Sequence, residues 1–155
     1  MMEHRTSMTL LRKLAITLLI GAAVTLSSCV DTPFGPDILN VTVTPSVIPL
    51  SDTGMGDEYF DVSISTTGFE GEFDSADVFI QLPNGGQVSA CQGRPECIQP
   101  AEPGNLSTLV SQREAIPTAW FEDQDVGVYS IGATVTTDLE QVTQLDLATV
   151  EVVDN

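Results

Sequence analysis

The chain of 155 residues has no lysine after Lys13 and no histidine after His4, and beyond residue 13 only Arg94 and Arg113 carry positive charge. Against five basic residues stand 22 acids, for a net charge of −17. Phosphate binding needs clustered lysine and arginine, so a nucleic-acid partner is excluded. An anionic lipid surface repels such a chain as well. Without lysine or histidine in its main part, the sequence offers no Ser-His-Asp or Cys-His arrangement, no Ser-Lys pair and no Schiff-base lysine. The one glycine-rich turn, Asn84-Gly85-Gly86, lacks a phosphate-loop pattern. Enzymology would have to rest on carboxylates alone, and we expect no enzyme and no resident cofactor. Aromatic residues make up 6% of the chain. The longest apolar stretch, Leu14 to Leu26, is broken by Thr17, Gly21 and Thr25. It is shorter than the roughly 20 apolar residues of a membrane-spanning helix.

That stretch follows Arg5, Arg12 and Lys13 and ends in Leu26-Ser27-Ser28-Cys29. A basic segment, an apolar segment and small residues, in that order, describe a secretory signal peptide. The last four residues resemble the lipobox of bacterial lipoproteins: an aliphatic residue, two small residues and a cysteine. The resemblance implies cleavage before Cys29, a diacylglyceryl group on its sulfur and an acylated amino terminus. It implies a chain held at the bacterial cell envelope by lipid, since two or three acyl chains anchor stably where one does not. Val30 rather than aspartate follows the cysteine, which by resemblance to enterobacterial sorting favours the outer membrane. Removing residues 1–28 takes away Glu3, His4 and three of the five bases. The remaining 127 residues then carry a net charge of about −19 and suit one domain. Residues 29–36 read as the lipidated cysteine and a short linker, and 37–155 as the domain.

Cys91 and Cys97 remain after Cys29 is lipidated, separated by Gln-Gly-Arg-Pro-Glu. In an exported protein they favour a disulfide. Closing that loop contributes about 2–2.5 kcal/mol in the chain-entropy model. A zinc site is the alternative, but it wants four thiol or imidazole ligands.

Along the domain, alternation gives the elements. Leu39, Val41 and Val43 predict one face of a first strand. Pro45 and Pro49 bracket a piece suited to a sheet edge. Phe60, Val62 and Ile64 alternate with Asp61, Ser63 and Ser65. Val78, Ile80 and Leu82 predict a third strand with Phe79 on its other face. There Phe79 either joins Phe69 and Phe73 in a glycan- or protein-binding patch or packs beneath a loop or the cysteine segment. Residues 87–114 form a weakly patterned insert, pinned by the disulfide, in which Leu106, Leu109, Val110 and Arg113 fit a short helix or an edge strand. A short strand at Ala119–Phe121 carries Trp120. A long strand follows, with Tyr129, Ile131, Ala133 and Val135 in phase. In the last strand Leu145 and Leu147 give way to Val150 and Val152, a phase slip that predicts a β-bulge at Ala148-Thr149.

Six or seven strands without a strong helix predict an all-β, antiparallel sandwich. The stretch Asp125-x-Gly127-x-Tyr129-x-Ile131 resembles the approach to strand F of immunoglobulin-like and fibronectin-type-III-like bacterial surface domains. That resemblance implies a structural corner in which the Tyr129 hydroxyl bonds backbone. The sequence departs from antibody domains, because Cys91 and Cys97 stand too close to link two sheets.

Two accounts of the acidity stand side by side. One is solubility in a saline or cation-rich medium. The other is a Ca2+ site, for which Glu122, Asp123 and Asp125 are the first candidates, with further acids in turns at Asp57-Glu58 and at Glu70, Glu72, Asp74 and Asp77. The expected function is a non-enzymatic binding or structural accessory domain of the envelope, held to the membrane by its lipid anchor, with an envelope protein or glycan as partner. A Ca2+-dependent adhesion or glycan-binding module is the second reading.

Overall fold

The computed structural model describes residues 35–54 and 56–154. The signal peptide of residues 1–28, Cys29 and most of the linker expected at 29–36 lie outside the described residues. The chain runs through ten strands: β1 (Asp37–Thr44), β2 (Val47–Pro49), β3 (Tyr59–Thr67), β4 (Phe73–Gln81), β5 (Gln87–Ser89), β6 (Ile98–Glu102), β7 (Asn105–Ser111), β8 (Ile116–Pro117), β9 (Gly127–Thr137) and β10 (Gln141–Val153). Seven of them are five residues or longer, while β2, β5 and β8 are short. Two 3-10 turns, Leu50–Asp52 and Thr118–Phe121, complete the regular elements among the described residues.

The strands form two sheets. One has the order β1-β3-β7-β6, with β8 also on β3; the other has β2-β10-β9-β4-β5. Taking the seven long strands as A to G, this is A-B-E-D against G-F-C, the strand order of an immunoglobulin-like sandwich. Neighbours are antiparallel except β2, which runs parallel to β10 at the sheet edge, with Glu151 opposite Val47. Alternating residues of both sheets meet in one core: Val41, Ile64 and Leu109 from the first, Val78, Ile131 and Val150 from the second. Phe60, Val62 and Ile64 are buried, as are Ile131, Ala133 and Val135, because a period of two places them on one side of the pleat.

Several expectations are corrected. In β1 the register jumps from Ile38 opposite Thr66 to Asn40 opposite Ser65, so Leu39 is an unpaired bulge residue. It is 59% exposed, and Ile38 takes the core position instead. The slip in β10 lies earlier than Ala148-Thr149. Gln144 faces Ala133 and Ala148 faces Ile131, so Leu145, Asp146 and Leu147 together oppose Gly132. Residues 106–111 are neither helix nor sheet edge; β7 is internal, between β3 and β6. Trp120 belongs to a 3-10 turn, not a strand: the Thr118 amide makes a last cross-strand bond to the Glu58 carbonyl at 2.9 Å, and the chain then turns, with the Glu122 amide on the Ala119 carbonyl at 3.0 Å.

The two ends of the sandwich are thereby defined. The chain enters where Gly35 lies against Gly68, with the starts of β1, β4 and β10. The last strand ends at the other side, where Val152 pairs Gly127 at the head of β9. The Glu122–Asp125 turn leads directly into β9 and so shares its end with the carboxyl-terminal end of β10.

Candidate functional site

The outward face of the second sheet carries a groove of about 520 Å³. Its walls are the outward residues of β4 and β9, namely Ser75, Asp77, Thr134 and Thr136, and the cysteine loop with Ser89, Gly93, Arg94 and Pro95. Phe79 also lines it. Although it points away from the core, Phe79 is only 4% exposed. It pairs with Ser89 on one side and Gly132 on the other. A side chain at Gly132 would collide with the Phe79 ring and with the Gln144 carbonyl, so glycine is what lets the ring lie across β9. Phe79 is thus packed across Gly132 of β9 and is not an exposed stacking platform.

The loop is held from several sides. Cys91 and Cys97 form a disulfide with Cα atoms 5.6 Å apart, and both are buried. Asp77 reaches across from β4. One of its carboxylate oxygens accepts from the Cys91 amide at 3.0 Å and the other from the Ser89 hydroxyl at 2.5 Å. The same hydroxyl accepts from the Gln92 amide at 2.7 Å. Gln92 and Gly93 both have positive φ, 51° and 79°, which turns the loop sharply. Arg94 closes it, donating through Nε to the Cys91 carbonyl at 3.1 Å and through Nη2 to the Ala115 carbonyl at 2.7 Å.

The chemistry of the groove follows. Two of its three charged groups already serve the loop, Asp77 as a double acceptor and Arg94 as a double donor, and the third, Asp74, is exposed. What it offers a visitor is chiefly neutral hydroxyl and amide groups, from Ser75, Thr134, Thr136, Gln87 and Gln141. Such a surface hydrogen-bonds polar, uncharged groups. The Ser89 hydroxyl beside Asp77 is a link in a structural chain, taking one hydrogen bond and giving another.

Among the residues singled out from the sequence, Cys91 and Cys97 come together and Cys29 lies outside the described residues. The Tyr129 hydroxyl donates to the Asp125 carbonyl at 2.6 Å across the corner that opens β9. Burial, and then the Asp125 carboxylate, push the Tyr129 phenol above its ordinary value. Glu122, Asp123 and Asp125 are all exposed on the turn. Among the described residues, no three histidine, cysteine, aspartate or glutamate side chains are grouped to hold a metal ion.

The groove was not read from the sequence. Its strand walls had a signal, since Ser75, Asp77, Thr134 and Thr136 fall in the outward phase of β4 and β9. The anchoring of the loop by Asp77 had none, because 14 residues separate it from Cys91. Comparison of the chain with family models, with curated proteins and with solved structures gave no match.

Proposed function

We propose that the protein is a bacterial lipoprotein, held at the cell envelope through Cys29, whose sandwich acts as a non-enzymatic binding or structural domain. The observation that carries the anchoring is the Leu26-Ser27-Ser28-Cys29 box at the end of a basic and then apolar leader. The domain supports the rest of the reading through the residues it has. Its two arginines are committed: Arg94 to the loop, and Arg113 to a surface ion pair with Glu114 at 3.3 Å. Its polar groove carries hydroxyl and amide groups without a nucleophile placed beside a histidine or lysine base. The pinned loop gives that groove a fixed shape, which favours recognition.

Labelling with an alkyne-bearing fatty acid in the producing cell tests the anchor. The wild-type chain becomes labelled and fractionates with membranes. The Cys29→Ser chain is unlabelled and loses its membrane association. A labelled Cys29→Ser chain, or an unlabelled wild-type chain, would overturn the reading.

A further inference from the structure

At the end of the second sheet farthest from Gly35, the outward face is apolar. Val47 of β2, Glu151 of β10 and Val128 of β9 stand in one cross-strand row, fixed by the register Val47–Glu151–Val128. Strands lie about 4.8 Å apart, so the row is continuous across three of them. Val47 is 49% exposed and Val128 67%, and Val126, two residues before Val128, is 52% exposed. Pro49 and Val153, two residues farther along β2 and β10 on the same face, are half-buried. The inward neighbours Ile48, Val150 and Val152 are all buried, so these valines are surplus to the core. Two exposed valines of the sheet, with Val126 just before β9, flank Glu151 on a surface that gains by being covered.

The charges decide what covers it. Glu151 is exposed at the centre of the row. No described residue supplies it with a cation, since Arg94 is spent on the cysteine loop and Arg113 pairs with Glu114. A second copy of this chain related by a two-fold axis would set this patch against itself, bringing Glu151 towards Glu151 between two strongly acidic domains. An anionic lipid surface meets the same repulsion.

We propose that this face docks a segment of another protein in which a lysine or arginine, placed to meet Glu151, is flanked by apolar side chains that cover Val47, Val126 and Val128. The proposal rests on the binding reading above but not on the anchor, so a failed lipidation test leaves it intact. The Asn84–Gly86 turn, the cysteine loop and the groove play no part in it.

The test is a titration of the full chain with a synthetic, fluorescently labelled peptide of alternating lysine and valine, with a glutamate–valine peptide as control. The lysine peptide binds and the glutamate peptide does not. Reversing the central charge, Glu151→Lys, weakens binding at least about tenfold, because like charges then face each other in a desolvated contact. Glu151→Gln weakens it less, in the same direction, and shows that the loss does not depend on one variant's fold. Val128→Ser reduces affinity by about threefold through lost apolar cover. Asp74→Lys, an exposed charge at the opposite end of the sandwich, leaves binding within about twofold, because separation beyond the Debye length screens it. Equal weakening by Asp74→Lys and Glu151→Lys would reduce the effect to bulk charge and overturn the proposal. So would absence of binding, equal binding of the glutamate peptide, or a concentration-dependent dimer abolished by Val128→Ser.

Discussion

Where β1 begins, the turns of the sandwich are held together by carboxylates. Asp138 accepts from the Glu72 amide at 2.7 Å, and Glu140 accepts from the Glu70 amide at 2.8 Å. Asp138 returns its own amide to the Glu72 carbonyl at 3.0 Å. Gly71, with φ at 87°, makes this possible, because a side chain there would collide with the Asp138 carboxylate. At the opposite end the material is aromatic. Phe60, Trp120, Phe121 and Tyr129 pack edge to face or tilted, with ring centroids 4.9–5.7 Å apart. The polar atoms of that cluster are also satisfied: Trp120 Nε1 donates to the Val88 carbonyl at 3.0 Å, and the Tyr129 hydroxyl to Asp125. The first end trades carboxylate bonds that water can replace. The second removes apolar area from water, which water cannot replace, so the second end should carry the stability.

The sharpest way to break that contrast is Phe121→Ala. Phe121 has no exposed surface and touches three other rings. Its truncation should cost about 3–5 kcal/mol through lost transfer energy and a residual cavity. Urea unfolding of the full chain measures it as a lowered midpoint. A loss below about 1 kcal/mol would mean that the cluster is not the stabilising end.

Tyr129→Phe should cost about 1 kcal/mol, the net worth of one intramolecular hydrogen bond. Its pH dependence sharpens the assignment. The folded-state phenol is held above its ordinary value of 10.0, so the protonated form is favoured by folding. Its contribution is fully present below about pH 10 and is lost as pH rises through the higher folded value. In the alkaline limb the wild type should therefore converge on Tyr129→Phe, and unfolding curves at neutral and alkaline pH would show the gap narrowing.

These two residues also mark what the sequence discloses. Phe60, Val62 and Ile64, or Ile131, Ala133 and Val135, show their side of the sheet by alternation, because a strand's period is a local property. The Tyr129 corner spans four residues and the cysteine pair six, so both could be suspected from spacing. The bulges could not. Leu39 and the Leu145–Leu147 excursion are decided by the strand opposite, where Asp146 is drawn over the sheet by the Ser130 hydroxyl at 2.5 Å and by Gln81 at 3.3 Å. The valine row was equally hidden, since Val47, Val128 and Glu151 come from three distant stretches. So was the Asp138–Glu72 staple, across 66 residues. Pairing at long range overrides local phase wherever a ladder gains or loses a residue.

At the carboxylate end, Asp138→Ala tests the other half of the contrast. The Glu72 amide that loses its partner is at the surface and turns to water instead. The expected cost is about 0.5 kcal/mol, the low end for a hydrogen bond. Hydrogen exchange of the Glu72 amide should nevertheless accelerate, since local opening is easier while global stability hardly moves. A cost near that of Phe121→Ala would show that the acidic turns are more than solvated acceptors.

The smallest effect expected is from Ca2+. A calcium ion needs six to eight oxygen ligands brought to one point. Glu122, Asp123 and Asp125 are instead exposed along a turn, and Asp125 uses its carbonyl on Tyr129. The near-end carboxylates of Asp138 and Glu140 are committed to backbone amides. Any divalent cation will still raise the melting temperature somewhat, because it screens the self-repulsion of a strongly acidic domain. The informative comparison is therefore between Ca2+ and Mg2+ at equal concentration, with EDTA as baseline. Screening predicts that the two cations agree within about 1 °C, since a site-specific gain of even 1 kcal/mol would separate them by several degrees. A rise specific to Ca2+, abolished by replacing Glu122, Asp123 and Asp125 with their amides, would mean that the ion gathers this turn. The far end would then combine aromatic packing with a metal-dependent loop, and the contrast between the two ends would have to be redrawn.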